Sequence, residues 1–91
     1  MKLGYFYGRT GRKIANQNIV FTPEYTMFIS YNTNIIKTTF DDEGKRITIL
    51  DEHYWDYSKT TGKYRNEFLG EGIAETRGKI ATGEYILSDL N

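Results

Sequence analysis

The sequence predicts a small α+β domain in which an antiparallel sheet of three to four strands packs against two short helices. Two observations carry this prediction. Aromatic and β-branched residues dominate residues 25–50, and the apolar spacing changes to a helical period after residue 58. The composition agrees, because 38% hydrophobic and 26% charged residues are typical of a folded globular chain. For 91 residues we expect a single domain spanning positions 1–91.

The first segment is basic and carries no acidic residue as far as position 23. Residues 3–7 can pair as a short strand, but Gly8 and Gly11 weaken both helix and strand in the residues that follow. We therefore treat residues 1–18 as a basic N-terminal arm that can be flexible, joined to a more acidic body.

The sheet is predicted from three runs of strand-forming residues. Residues 25–31 are rich in aromatic and β-branched side chains, and a turn follows them. Residues 35–40 and 46–50 form the next two strands. An acidic turn joins these two, and Gly44 in that turn is free to adopt a positive φ.

The helical part begins where hydroxyl side chains can cap a helix. Ser58, Thr60 and Thr61 can each accept from an unpaired backbone N–H at the start of the first helix, and Gly70 suits its C-terminal cap. A second helix is predicted from about Gly72 to Thr82. A last strand over residues 84–87 can then rejoin the sheet.

Catalytic chemistry finds little support in the residues. The single histidine, His53, lies among carboxylates, but a metal site needs three or four converging ligands, and neighbours in an extended segment diverge. There is no cysteine, no nucleophile elbow around a serine and no Walker-type phosphate loop. We therefore expect a non-enzymatic protein with no catalytic residue, no metal and no cofactor.

Aromatic residues exceed what one small core can hide, since the chain holds eight Tyr, five Phe and one Trp. Tyr and Trp are preferred anchors of protein interfaces, because they combine a large area with a polar tip. Acidic residues concentrate in the same middle segment. The expected contact residues for a partner protein are Asp41, Asp42, Glu43, Asp51, Glu52, Tyr54, Trp55 and Tyr57.

The run Trp55-Asp56-Tyr57-Ser58-Lys59-Thr60-Thr61, with Phe28–Ile35 before it and Phe68-Leu69 after it, resembles small uncharacterised proteins encoded by phages and prophages of Gram-positive bacteria. The similar part spans residues 28–69. The resemblance implies a viral accessory protein that acts by binding, and inhibitors of host immunity such as anti-CRISPR proteins are of this kind. The acidic residues would then occupy the nucleic-acid groove of a host defence nuclease, whose Lys and Arg residues attract carboxylates as they attract phosphates.

Two alternatives stay open. The first is a nucleic-acid-binding accessory protein that uses aromatic and basic residues of the N-terminal arm, namely Tyr5, Tyr7, Arg9, Arg12 and Lys13. The second is a structural domain that self-associates into a homodimer through its tyrosines. We expect the protein to work in the cytoplasm of a bacterial host without a membrane partner, because there is no apolar signal region and no run approaching about 18 apolar residues.

Overall fold

Six strands and two helices follow one another along the chain in the computed structural model, which describes residues 1–91. The strands are β1 (Lys2–Tyr7), β2 (Lys13–Phe21), β3 (Tyr25–Ser30), β4 (Thr33–Phe40), β5 (Arg46–Asp51) and β6 (Tyr85–Ser88), and the helices are α1 (Lys59–Leu69) and α2 (Ile73–Ala81). All six strands form one sheet, in which the spatial order is the chain order.

The predicted fold class is wrong in the number and the direction of the strands. The sheet has six strands instead of three to four, and it is mixed instead of antiparallel, since β6 runs parallel to β5. The parallel direction follows from the connection. Both helices lie between these two strands, and the helical crossover carries the chain back to the end of the sheet at which β5 begins.

The strand that no local sequence pattern predicts is β2. It places the polar residues Asn16, Gln17 and Asn18 in a row, and Asn16 has a φ of 65°, so no regular alternation marks the segment. Its conformation is decided by pairing with β1 on one side and β3 on the other, a tertiary effect that outweighs local propensity.

The helix boundaries confirm the predicted capping residues. Ser58 precedes α1, and its Oγ accepts a hydrogen bond from the backbone N–H of Thr61 at 3.1 Å. Gly70 follows α1 with a φ of 70° and donates its N–H to the carbonyl of Asn66. The second helix, α2, lies within the predicted range and begins after Gly72.

Both helices pack on one face of the sheet, where the core lies. The rings of Phe28 and Phe68 stack with their centroids 5.7 Å apart, and the Phe6 ring lies 5.1 Å from the ring of Tyr64. The buried side chains of β4 and β5 extend this core toward α2. The opposite surface of the sheet, which we call the open face, has neither helix against it.

A bulge and a tight turn shape one end of the sheet. Phe28 pairs with Ile36 but Ile29 pairs with Asn34, so Ile35 is an extra residue in β4. The turn between β3 and β4 consists of Tyr31 and Asn32, with φ of 50° and 61°. Positive φ at both positions is what a two-residue hairpin turn requires, and it fixes the direction of the Tyr31 side chain.

The fold is small and compact. The Cα radius of gyration is 13.0 Å, close to the roughly 12 Å expected for a folded domain of this length. Neither α1 nor α2 has the length and the apolar character that a bilayer span requires.

Candidate functional site

A pocket opens where the β3–β4 turn meets the first turn of α1, and we call it the tyrosine pocket. Its volume is about 550 Å³. Three tyrosines, five hydroxyl-bearing serines and threonines and one aliphatic residue line it: Ser30, Tyr31, Thr33, Ile35, Tyr54, Tyr57, Ser58, Thr60 and Thr61.

The three tyrosines that surround this pocket are all exposed to solvent. Tyr31 is 52% exposed, Tyr54 is 37% exposed and Tyr57 is 69% exposed. The rings of Tyr54 and Tyr57 meet edge to face with their centroids 5.4 Å apart, a favoured aromatic geometry. The pocket therefore exposes aromatic area to solvent instead of burying it in the core.

Buried hydroxyl groups hold the inner wall of the pocket. Thr61 is 1% exposed, and its Oγ1 lies 2.9 Å from the Oγ of Ser30 on β3. The Ser58 hydroxyl donates to the same Thr61 oxygen at 3.1 Å. These bonds join β3 to the start of α1, so the wall is built on regular secondary structure.

Asp51 fixes the loop that presents two of the tyrosines. The carboxylate is fully buried and accepts hydrogen bonds from the backbone N–H groups of His53 at 3.1 Å, Tyr54 at 2.9 Å and Leu90 at 2.8 Å. The side-chain amide of Asn91 donates a fourth bond at 3.1 Å. Burial alone would raise the pKa of Asp51, but these hydrogen bonds outweigh it and lower the pKa below its usual value.

A second anchor of this loop is Arg65, which is 2% exposed on α1. Its Nη1 donates to Asp56 Oδ1 at 2.8 Å and to the carbonyl of Trp55 at 3.1 Å, and its other nitrogens donate to the Asn66 side chain. The guanidinium lies 5.4 Å from the centre of the Trp55 ring. Trp55 therefore packs against Arg65 and the core, whereas its neighbours Tyr54 and Tyr57 face solvent.

The acidic residues expected at a protein interface lie at two separate ends of β5. The first group, Asp41–Glu43, forms the β4–β5 turn, and Asp51 and Glu52 follow at the other end, roughly 17 Å away along the strand. Asp41 Oδ1 accepts from the N–H groups of Glu43 and Lys45, both at 2.9 Å, so this carboxylate closes its own turn. Of the acidic residues, Glu52 is the exposed one beside the pocket loop.

The aromatic and basic residues of the N-terminal segment lie on the β1–β2 hairpin. Tyr7 is 61% exposed, and Arg9 and Arg12 are exposed on the connecting loop. The ammonium of Lys13 lies 4.1 Å from the centre of the Tyr5 ring. Backbone hydrogen bonds close the loop, so these residues share one end of a paired hairpin.

The chain matches one family of known sequences. A model of the family of unknown function DUF8033 matches residues 1–84. The chain belongs to this family. No curated protein and no solved structure is significantly similar to it. The family description ties this DUF8033 protein neither to phages nor to inhibition.

The sequence of this DUF8033 protein predicts one side of the pocket and not the other. It points to Tyr54 and Tyr57 as contact residues, whereas it predicts Tyr31 only as the end of a strand. A signal is present, because Asn32 belongs to the few residue types that accept a left-handed backbone and therefore marks tight turns. The hydroxyls of Ser58 and Thr61 indicate only helix caps, and nothing in the sequence brings them to Ser30.

Proposed function

We propose that this DUF8033 protein is a non-enzymatic binding module that captures a partner protein through the tyrosine pocket. The observation that carries the proposal is the exposure of Tyr31, Tyr54 and Tyr57 around one cavity. Exposed tyrosines supply contact area and a hydrogen-bonding tip, and they lose little conformational entropy on binding.

The supports behind the pocket strengthen the proposal. Asp51 and Arg65 hold the loop of Tyr54 and Tyr57 from inside the domain, and the β3–β4 turn fixes Tyr31. A surface that is already ordered pays a smaller entropic cost when it binds, because fewer side chains and loops are immobilised.

The chemistry of the lining favours binding over catalysis. The pocket is lined by Tyr, Ser, Thr and Ile side chains, and no His, Asp, Glu, Lys or Cys is among them to act as a general acid or base. Thr61 and Ser58 already bond to each other, and no general base lies against them in the lining. A partner segment would place an apolar side chain over Ile35 and its polar atoms on the hydroxyls.

The test is affinity capture by the tagged chain from nuclease-treated lysate, read by mass spectrometry. We expect one stoichiometric partner, which the double variant Tyr54→Ala/Tyr57→Ala loses, because an interface tyrosine contributes about 2 kcal/mol or more. Phe40→Ala is the matched control, since Phe40 is an exposed aromatic (61%) outside the pocket. Equal capture by the wild type and a folded double variant would contradict the proposal.

We also propose, as a narrower form of this function, that the partner is a host factor such as a CRISPR-type nuclease. Asp42 and Glu43 support it, because both are exposed in one acidic turn. In a nuclease-inhibition assay, Asp42→Lys/Glu43→Lys should abolish inhibition by removing the attraction to a basic groove. Asp41 is left unchanged in this variant because its carboxylate closes the turn. Unchanged inhibition would remove this narrower proposal.

The alternative is binding of single-stranded nucleic acid by the β1–β2 hairpin. Tyr7, Arg9 and Arg12 favour it, since all three are exposed at one end of that hairpin. Retention on single-stranded DNA or RNA should then fall steeply with salt and with Arg9→Ala/Arg12→Ala, because phosphate contacts release counterions. Failure to bind at low salt would dismiss this alternative.

A further inference from the structure

The open face of the sheet carries apolar side chains from five of its six strands, the exception being β4. Strand pairing aligns one residue from each strand in a central row, and five of these six residues are apolar. The rows beside it mix aliphatic, aromatic and polar side chains, namely Tyr5, Asn18 and Ile29 on one side and Tyr25, Thr39 and Ile47 on the other. The aliphatic side chains of this face are Leu3, Val20, Met27, Ile29, Ile47, Ile49 and Ile86. They are exposed or half-buried, because α1 and α2 cover the opposite face.

The charged and polar groups of this face lie where they leave its centre apolar. Lys37 is in the central row, but its ammonium lies 5.0 Å from the ring centre of Tyr25, toward the end of the sheet. The aliphatic stem of Lys37 therefore covers the face while its charge lies nearer the rim. Asn18 and Thr39 flank the central row on its two sides. An apolar centre with a polar rim is the anatomy of a protein interface.

The dimensions of the face suit pairing with a second copy. Six strands at a spacing of about 4.8 Å give a width of roughly 24 Å, and strands of this length run about 17 Å. The flat area of one face is therefore about 400 Å², and two faces together cover about 800 Å². Because side chains project from the sheet, the solvent-accessible area is larger and comes close to the roughly 1,000 Å² that a specific interface needs. One face of roughly 400 Å² equals the largest apolar patches found on monomeric proteins, and such patches are often functional.

We propose that the open face packs against the same face of a second copy, which forms a two-fold homodimer with the sheets inside and the helices outside. A second copy fits because the face exposes no carboxylate that would need a foreign cation: Asp51, which strand alternation assigns to this face, is fully buried. Lys37 is already placed over Tyr25. Two sheets can pack in this way at about 10 Å with their side chains interdigitated. The tyrosine pocket lies on the helix side and stays open in such a dimer, so this proposal is independent of the proposed function.

The first test is the molar mass in solution by sedimentation and by light scattering. The wild type should approach twice 10.6 kDa at about 100 µM and dissociate on dilution. Met27→Glu or Ile49→Glu should weaken the dimer by about 100-fold or more, because each dimer would bury two uncompensated carboxylates. Phe40→Glu adds the same charge to an exposed side chain on the other face and should leave the dimer intact.

Either of two results of the mass measurement would overturn the proposal. One is a wild-type monomer at every concentration, and the other is a dimer that folded Met27→Glu leaves unchanged. A second measurement does not depend on a disruptive variant. Because the chain has no cysteine, spin labels at Asn18→Cys or at Glu75→Cys report single distances between copies. The label on the open face at position 18 should give the shorter distance, and the reverse order would also overturn the proposal.

Discussion

The carboxylate of Asp51 joins three parts of the chain that are far apart in sequence. It belongs to β5, and its partners lie in the loop after β5 and at residues 90–91. An acidic side chain at a strand end is ordinarily exposed, and sequence alone offers no reason to treat this one differently from Glu52. Burial with four donors makes it a structural residue, which we leave out of the proposed contact surface.

Asp51→Ala should lower the free energy of unfolding by about 2–4 kcal/mol, because it leaves buried N–H donors without their acceptor. Asp42→Ala removes an exposed carboxylate nearby in sequence and should change it by no more than about 0.5 kcal/mol. Urea denaturation followed by circular dichroism measures both values. Similar losses for the two variants would show that the Asp51 bonds contribute little.

Asp56 offers a matched comparison of two arginines. It pairs with Arg65 at 2.8 Å and with Arg77 at 3.6 Å, but the Arg65 side chain is 3% exposed and that of Arg77 is 66% exposed. Arg65→Ala should destabilise the fold by about 2 kcal/mol or more, since it removes buried hydrogen bonds and the contact with Trp55. Arg77→Ala should be nearly neutral, as exposed ion pairs usually are. The melting temperatures of the two variants test this difference, and equal losses would contradict the larger contribution assigned to Arg65.

At the scale of elements, capping chemistry determines how well the helices can be predicted. Gly70 marks the end of α1 in the sequence, and three hydroxyl residues at 58–61 mark its start, of which the structure uses Ser58. The β4–β5 hairpin is equally legible, because its acidic glycine turn separates two alternating strands. The β2 strand and the parallel direction of β6 cannot be predicted in this way, because both depend on pairing with segments that are not predicted by any local sequence pattern.

Two helix glycines should respond to alanine with opposite signs. Gly70 has a φ of 70°, a conformation that a Cβ disfavours, so Gly70→Ala should cost about 1 kcal/mol. Gly78 lies inside α2, where an added Cβ would have no neighbouring atom within 4 Å, so Gly78→Ala should stabilise by up to about 1 kcal/mol. Chemical denaturation measures the change in the free energy of unfolding for both variants. A stabilising Gly70→Ala would contradict the assigned cap.

At the scale of the whole molecule, the tyrosine pocket shows why a site is harder to predict than its parts. Its lining comes from residues 30–35 and 54–61, and only the packing of α1 on β3 brings these ranges together. The aromatic run at 54–57 indicates a contact surface, but the sequence does not separate the exposed tyrosines from Trp55. Trp55 differs from the two tyrosines because its ring packs against the buried Arg65.

Two buried carboxyls make the stability of the molecule depend on acid. Burial alone would raise the pKa of Glu71, but hydrogen bonds from Lys79 and Thr76, both at 2.7 Å, and from Tyr85 at 2.9 Å lower the pKa below its usual value. The pKa of Asp51 is lowered in the same way. Ionised carboxylates favoured by the fold stabilise it above their ordinary pKa values of 4.5 and 3.8, and this contribution is lost as the pH falls through the lower folded values.

The melting temperature should therefore be steady near neutral pH and fall as the pH drops below about 4.5. Asp51→Asn, which cannot ionise, should show a shallower decline while starting from a lower melting temperature. Calorimetric scans between about pH 2 and pH 7 measure the slope. An equally steep decline in the variant would mean that other groups control the acid response.

The crossover from β5 to β6 has a consequence for how the chain is made. Strands β1 to β5 can pair as successive hairpins during synthesis on the ribosome. The second neighbour of β5 is β6, which can pair only after residues 52–84 have been synthesised. Closing that segment costs roughly 2–3 kcal/mol more entropy than closing the two-residue β3–β4 turn, at about 0.6 kcal/mol per doubling of loop length. Until it closes, nascent chains expose the hydrogen-bonding edge of β5, so that crowded polysomes are where this protein is most prone to pair with the wrong neighbour.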